Sequence, residues 1–257
     1  MLSSDFWNRQ VSALVLVLIL AAVLRLSLLG SKSLWFDESF SVYFAHLPAE
    51  DLWKIDPNRP ETHPPLYYLA LSTWVDWFGD SETSVRLPSA LISLVNVALL
   101  YLLGRRLFNH RVALLAAALL ALSPLHIWYA QEARMYVFMT AIMLLSAILL
   151  TWDSWWATLP LTVTFALGLY IDYTMLPIWA LLSAVWFVSW WQRGRLWRPF
   201  LIWLTASIIA WLLFLPWLTN FYAVLESFYD VHIFIRLNEA FGIQFLSPGQ
   251  YLILMIL

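Results

Sequence analysis

The sequence lacks cysteine and contains few charged residues. Without cysteine the chain forms no disulfide, no zinc–thiolate site and no thiol nucleophile, and cysteine usage leaves the redox compartment undetermined. Charged residues make up 12% of the 257 residues and apolar residues 62%, whereas a soluble domain has about 25% charged and 45–50% apolar residues. The composition therefore predicts an integral membrane protein. The small net charge of −2 gives no reason to expect a nucleic-acid partner.

Hydrophobic segments recur along the chain at lengths near the roughly 20 residues that a helix needs to cross a bilayer. The predicted spans are Val11–Gly30, Ser84–Gly104, Arg111–Ser123, Gln131–Trp152, Trp155–Tyr170, Met175–Trp191 and Phe200–Trp217, and another begins at Tyr251. We predict an all-α, polytopic transmembrane helical bundle in which residues 1–257 form a single domain. Because the segment at Tyr251 is cut off, we expect the sequence to be truncated at its C-terminus.

The arginines of the short loops predict the orientation of the bundle. They fall in three groups: Arg9 before the first span, Arg105, Arg106 and Arg111 between the second and third, and Arg193, Arg195 and Arg198 between the sixth and seventh. The loop after the fourth span, around Asp153, is on the same side but carries no basic residue. The positive-inside rule assigns this side to the cytoplasm, so residues 31–83, 124–130, 171–174 and 219–250 should face outward. Arg25 lies near the outer end of the first span, where its long side chain could extend to the interface.

Residues 31–83 form a first extracytoplasmic loop that is too long for a tight connection. Helical spacing of apolar residues predicts amphipathic helices over Glu38–His46, Glu50–Ile55 and Leu66–Phe78. Between the last two, residues 56–65 contain four prolines, which prevent regular structure.

Two adjacent carboxylates, Asp37 and Glu38, follow the first span among aromatic residues. Charges at a lipid boundary are costly unless solvated or paired, so the pair is placed to take a proton or to bind a cation. Alternatively, Asp37 caps the helix that follows. Three roles stay open for His63: it could ligate a metal, bind a phosphate or cap a turn.

Several sequence blocks together resemble the N-terminal half of a GT-C membrane glycosyltransferase. The similar branch contains protein O-mannosyltransferases and aminoarabinose–lipid A transferases. The blocks are Trp35–Glu38, His63-Pro64-Pro65-Leu66-Tyr67-Tyr68, Arg86-Leu87-Pro88-Ser89-Ala90, Ser123-Pro124 and Tyr129–Tyr136. The chain departs from the family at Ile171-Asp172-Tyr173, where members often have Thr-His-Tyr.

The resemblance implies an inverting transfer of a sugar from a polyprenyl-phosphate donor to an acceptor hydroxyl of a protein, lipid or glycan. The site would face outward, in a multi-pass protein of the plasma membrane, the inner membrane of a bacterium. Asp37 matches the family's catalytic base. Glu38 would act beside it as an orienting group or cation ligand.

The leaving phosphate needs a cation, and Arg134 is the first candidate because a guanidinium binds phosphate bidentately. Arg86 is a weaker candidate, with interfacial anchoring as its alternative. A helix beginning near Gln131 would place Gln131 and Arg134 on one face and Glu132 and Tyr136 on another. These residues and His63 are predicted to support the site, although Glu132 and Arg134 could instead be interfacial anchors. Asp172 is interpreted as a helix cap.

No cofactor is required by this chemistry, although a divalent metal is possible. Asp37, Glu38 and His63 are the candidate ligands for Mg²⁺, Mn²⁺ or Zn²⁺. Two alternative functions stay open: a transporter or flippase fragment, and a catalytically inactive assembly subunit. Transporters carry ionisable groups near mid-span, and the scarcity of such groups here favours chemistry at one membrane face.

Overall fold

The computed structural model describes residues 4–54, 63–192, 194 and 196–230, and the side chains of residues 11–54, 63–192, 194 and 196–224. Within these ranges all regular elements are helical, which confirms the predicted all-α membrane bundle. The helices are α1 (Ser4–Leu26), α2 (Phe36–Ala45), α3 (Ala49–Leu52), α4 (Leu66–Phe78), α5 (Glu82–Leu107), α6 (His110–Leu122), α7 (Pro124–Ala130), α8 (Tyr136–Leu149), α9 (Thr158–Ile171), α10 (Met175–Gln192), α11 (Trp197–Phe214) and α12 (Leu218–Asp230).

Each of the seven complete predicted spans corresponds to helix in the structure. Within the described residues, Glu82–Leu107, Met175–Gln192 and Trp197–Val224 are long and apolar enough to cross a membrane alone. The pair α6 and α7 would be a fourth crossing if it forms one bent span, and Val11–Leu26, Tyr136–Leu149 and Trp155–Ile171 are shorter apolar helices. The segment predicted at Tyr251 lies outside the described residues.

Residues 124–130, which were predicted to face outward between two spans, form the helix α7 after a break at the end of α6. The two helices meet at an angle of 61°. Pro124 lacks a backbone N–H and so interrupts the hydrogen bonds of α6, yet proline is favoured in the first turn of a new helix. The Ser123 side chain caps that new helix by accepting a hydrogen bond from the His126 N–H at 3.4 Å.

Residues 131–135 are not helical, so the prediction that a helix starts near Gln131 is wrong. Helix α8 begins only at Tyr136. Tertiary hydrogen bonds replace the helical ones in this turn, which we call the 131–135 turn. The Gln131 amide donates to three carbonyls at the end of α1, at 3.1–3.3 Å, and the Ala133 N–H donates to the Glu38 carboxylate. Because there is no helix here, the predicted helix faces, one with Gln131 and Arg134 and another with Glu132 and Tyr136, do not exist.

Arg25 does not extend to the interface as predicted but is completely buried. Its guanidinium donates to the carbonyls of Leu120 and Ala121 at 3.1 and 2.9 Å. These carbonyls lie in the last turn of α6, where helical carbonyls lose their regular partners; the Leu120 carbonyl also accepts from the Ser123 N–H at 3.2 Å. Arg25 also contacts His126 Nδ1 at 3.0 Å, so it joins α1 to both sides of the bend.

The predicted amphipathic helices of the first loop are present as α2, α3 and α4. Helix α4 has the predicted bounds, while α3 is shorter than predicted and its expected end at Ile55 lies outside the described residues. Phe44 of α2 packs on Tyr68 of α4 with ring centroids 5.2 Å apart. This aromatic contact packs the C-terminal end of α2 against α4.

Candidate active site

A buried ion pair between Glu38 and Arg86 fixes the start of α2. Arg86 Nε and Nη2 donate to the two carboxylate oxygens at 2.7 and 2.6 Å, and the Glu38 side chain is completely buried. The other guanidinium N–H groups bind the carbonyls of Leu29, Lys32 and Ser33 at 2.8–3.1 Å. All five N–H donors of Arg86 are thus in use. This arrangement ties α2 and residues 29–33 to α5.

Glu38 has further backbone partners. It accepts hydrogen bonds from the N–H groups of Trp35 at 3.2 Å and Ala133 at 2.9 Å. The first of these caps the N-terminus of α2 from inside the helix, and the second attaches the 131–135 turn. Glu38 therefore connects three parts of the chain.

Asp37 is not the cap of α2, because Trp35 occupies that position and the Glu38 side chain binds its N–H. Asp37 is partly exposed, and its carboxylate makes no hydrogen bond or ion pair with the described residues. Successive residues on a helix project about 100° apart, which separates this carboxylate from that of Glu38. Asp37 thus keeps its acceptor capacity for a ligand.

Arg134 lies beside the same turn of α2 and is buried. Its Nη1 donates to the Ser41 hydroxyl at 3.3 Å and lies 3.5 Å from the Tyr68 hydroxyl. Ser41 in turn donates to the backbone carbonyl of Asp37 at 3.1 Å. The guanidinium also lies over the ring of Tyr136, 5.9 Å from its centroid. Ser41 therefore connects the predicted base to the predicted phosphate ligand.

Glu132 adds a third carboxylate to this cluster. The Trp128 indole donates to one of its oxygens, and the other has no hydrogen-bond partner within the described residues. Burial raises the pKa of the Glu132 carboxyl, and the charges of Glu38 and Asp37 act in the same direction. The Trp128 hydrogen bond and the charge of Arg134 oppose this increase without cancelling it. Glu132 is therefore harder to ionise in the folded protein than in the unfolded chain.

Replacing Glu132 by Gln is expected to raise stability at neutral pH and to have little effect near pH 3. At low pH the side chain of residue 132 is neutral in the folded and the unfolded state, in the wild type and in the variant. Above the unfolded pKa of about 4.3, ionisation favours the unfolded wild type until the pH also exceeds the folded pKa. Thermal unfolding of both proteins across pH 3–8 measures the difference, and a variant that is less stable at pH 7 than the wild type would contradict it.

His63 pairs with Asp172, a contact that the sequence interpretation missed. His63 Nδ1 lies 3.2 Å from one Asp172 oxygen, and the Thr174 N–H donates to the other at 2.7 Å. Burial raises the pKa of the Asp172 carboxyl, but the hydrogen bonds from His63 and Thr174 outweigh it and hold the pKa below its usual value. In the sequence, the feature that distinguished Asp172 was the departure from the family's Thr-His-Tyr at residues 171–173.

A groove of about 280 Å³ extends from this pair between α7, α8 and α10. Its polar lining comprises His126, Tyr129, Tyr136, Thr140, Asp172 and Thr174, and its apolar lining Val137, Met139, Met143 and Ile178. Tyr136 lines the groove, and its ring also contacts the Arg134 guanidinium. The groove thus has polar side chains near the 131–135 turn and apolar walls along α8.

The three predicted metal ligands do not come together. Glu38 is occupied by Arg86, and His63 lies with Asp172. In the described part of the chain, no three His, Asp or Glu side chains form a group that could hold a metal ion.

Comparison with known proteins identifies the family. Residues 62–219 match the sequence profile of the dolichyl-phosphate-mannose-protein mannosyltransferases. This range includes His63, Arg86, Arg134 and Asp172 but begins after Asp37 and Glu38. No curated protein matches the sequence. The match covers more than half of the chain and confirms the resemblance to GT-C enzymes. The chain is therefore a membrane glycosyltransferase of the dolichyl-phosphate-mannose-protein mannosyltransferase family.

Proposed function

We propose that this protein transfers a sugar from a polyprenyl-phosphate donor to an acceptor hydroxyl with inversion, using Asp37 as general base. One observation carries the proposal. The Asp37 carboxylate has no partner among the described residues, while its own helical turn contacts the buried cation Arg134 through Ser41. A carboxylate open to ligand beside a phosphate-binding cation is the pair that this chemistry needs.

In the proposed reaction the acceptor hydroxyl gives its proton to the Asp37 carboxylate as its oxygen attacks the anomeric carbon. The new carbon–oxygen bond forms opposite the bond to phosphate, which breaks with its electron pair, so the configuration inverts. Polyprenyl phosphate leaves as the anion. Glu38 takes no proton, because its oxygens hold Arg86 and two backbone N–H groups; it positions Asp37 by fixing α2.

Arg134 is the proposed ligand of the donor phosphate. Its guanidinium stays charged at every relevant pH and offers a planar pair of donors to phosphate oxygens. Arg86 was the weaker sequence candidate, and its complete set of protein hydrogen bonds argues for a positioning role instead. Tyr136, Gln131 and Glu132 support Arg134 by shaping the 131–135 turn.

The groove beside Tyr136 suits the donor. Its apolar side along α8 matches isoprene units, and its polar side, with Asp172 and Thr174, matches hydroxyl groups of a sugar. The His63–Asp172 pair would hold the loop after α9 against this groove. With arginines clustered at the opposite helix ends, the positive-inside rule supports an extracytoplasmic site in a plasma membrane, the inner membrane in a bacterium.

Replacing Arg134 by Ala is expected to weaken binding of polyprenyl phosphate by about 10–100-fold, since a hydrogen bond to a charged group contributes roughly 1.5–3 kcal/mol. Arg134→Lys keeps the charge but loses the planar pair of donors, so an intermediate loss is expected. Quenching of tryptophan fluorescence by a short-chain polyprenyl phosphate measures the affinity.

The matched control is Arg111→Ala, which removes an exposed arginine at the other end of the helices and should leave affinity unchanged. Thermal unfolding checks that each variant is folded. Unchanged affinity in folded Arg134→Ala and Arg134→Lys would remove the phosphate role from Arg134.

Sugar transfer is expected to persist when divalent cations are removed by EDTA, because the Arg134 guanidinium supplies the positive charge that a metal would otherwise bring to the phosphate. Transfer rates before and after chelation, followed by addition of Mg²⁺, Mn²⁺ or Zn²⁺ separately, test this. A loss of transfer that a single cation restores would make that cation part of the site.

A further inference from the structure

A second groove lies at the end of the helices opposite Asp37. It has a volume of about 340 Å³ and lies between α5, α8, α10 and the start of α11. Leu103 of α5 is one of its lining residues, and 17 residues of helix separate it from Arg86, which corresponds to about 26 Å. This groove is therefore separate from the candidate active site.

The lining of this second groove suits an acyl chain. Its walls are mostly aliphatic and aromatic, and they are formed by Leu103, Leu107, Ala147, Leu150, Leu182, Val185, Trp186, Trp190, Leu196 and Pro199. The polar lining residues are few: Thr151, Trp152, Ser189 and one carboxylate, Asp153, which pairs with Arg198. The volume lies at the lower end of the range for small-molecule sites, so it fits part of one chain and not a whole lipid.

Tryptophans near the groove mark the depth of its mouth. Trp155, Trp156 and Trp197 have exposed fractions of 52%, 85% and 76%. Exposed tryptophans of membrane proteins concentrate at the level of the lipid headgroups. A lipid whose chain enters the groove would therefore have its headgroup beside the loops that connect these helices.

Two arginines, Arg106 and Arg198, and one carboxylate, Asp153, lie at this mouth among the described residues. Arg106 donates to the hydroxyl and carbonyl of Thr151 and lies over the Trp152 ring, 5.5 Å from its centroid. Among the described residues no carboxylate pairs with Arg106. Arg198 forms a half-exposed pair with Asp153 at 3.7 Å, and pairs of this kind are weak. Arg106 thus keeps a positive charge at the rim of an apolar groove.

We propose that this groove binds an anionic phospholipid, with an acyl chain between α5, α8 and α10 and the phosphate against Arg106. A zwitterionic lipid would gain the apolar contacts but less of the attraction to Arg106, so the site should distinguish lipids by net charge. The inference does not depend on the proposed sugar transfer.

Native mass spectrometry of the full chain tests this site. The protein is released from nanodiscs containing equal amounts of phosphatidylglycerol and phosphatidylcholine with the same acyl chains. We expect preferential retention of phosphatidylglycerol. Arg106→Gln should reduce that preference about fivefold, the effect of one basic residue near an anionic surface. Ser189→Trp fills the groove from a half-buried lining position and should reduce retention of both lipids.

Arg111→Gln is the matched control, since Arg111 is exposed at the same end but, unlike Arg106, makes no contact with Thr151 or Trp152 of the groove lining among the described residues. Its lipid retention should equal that of the wild type. Equal retention of the two lipids by the wild type would overturn the proposal. An equal loss of preference in Arg106→Gln and Arg111→Gln would also overturn it, because the effect would then come from overall charge.

Discussion

Replacing Asp37 by Asn is expected to lower the rate of sugar transfer by about 10²–10⁴-fold, the usual contribution of a general base. The amide keeps the shape of the side chain but cannot accept the acceptor's proton. The Asp37 carboxylate makes no hydrogen bond with the described residues, so its replacement should leave folding and donor binding intact. Initial rates of transfer at saturating donor, together with donor affinity, measure the two effects separately.

Asp76→Asn is the matched control for this experiment. Asp76 is an exposed carboxylate on α4, the neighbouring helix of the same loop, and its replacement should leave transfer near the wild-type rate. If Asp37→Asn keeps a near-normal rate, the base must be another group. If it instead loses donor affinity in parallel with the rate, Asp37 acts in binding.

Replacing Arg86 by Met is expected to destabilise the protein by about 3–5 kcal/mol, because it leaves the completely buried Glu38 carboxylate without its counter-ion. It also removes the donors to three backbone carbonyls of residues 29–33. The double variant Glu38→Met/Arg86→Met should recover part of this loss, since no buried charge is then left unpaired. Reversible unfolding in mixed micelles measures the free energies.

Arg198→Gln serves as the control for the loss of an ion pair. Its partner Asp153 is half-exposed, and breaking such a pair should cost less than about 1 kcal/mol. A cost this small for Arg86→Met would show that the Glu38–Arg86 pair does not hold α2. A double variant that is less stable than Arg86→Met would show that the carbonyl contacts matter more than the charges.

Most of the helices were predictable because they carry their own signal in the sequence. Apolar runs predicted α5, α10 and α11, and helical spacing in the first loop predicted α2 and α4. The bend at Ser123–Pro124 was not predicted, because a proline after an apolar run is equally compatible with a loop. The burial of Arg25 depends on the carbonyl groups of α6, nearly 100 residues away in sequence, and no local pattern encodes that contact.

The composition of the site was more predictable than the pairing within it. The blocks that carry the family resemblance supplied Asp37, Glu38, His63, Arg86 and Arg134 as candidates. Which candidates pair depends on packing, as with Glu38 and Arg86, which lie 48 residues apart in sequence. A buried pair and a carboxylate open to ligand look alike in sequence, so only the structure distinguishes the positions of Asp37 and Glu38.

The central claim is that polyprenyl-phosphate sugar is consumed at Asp37. The most direct measurement is release of polyprenyl phosphate from a set of polyprenyl-phosphate sugars, with an acceptor extract, by wild-type protein and Asp37→Asn in the same membranes. We predict release by the wild type from at least one donor and about 10²–10⁴-fold slower release by the variant. Equal release by both proteins, or release by neither from any donor, would contradict the claim.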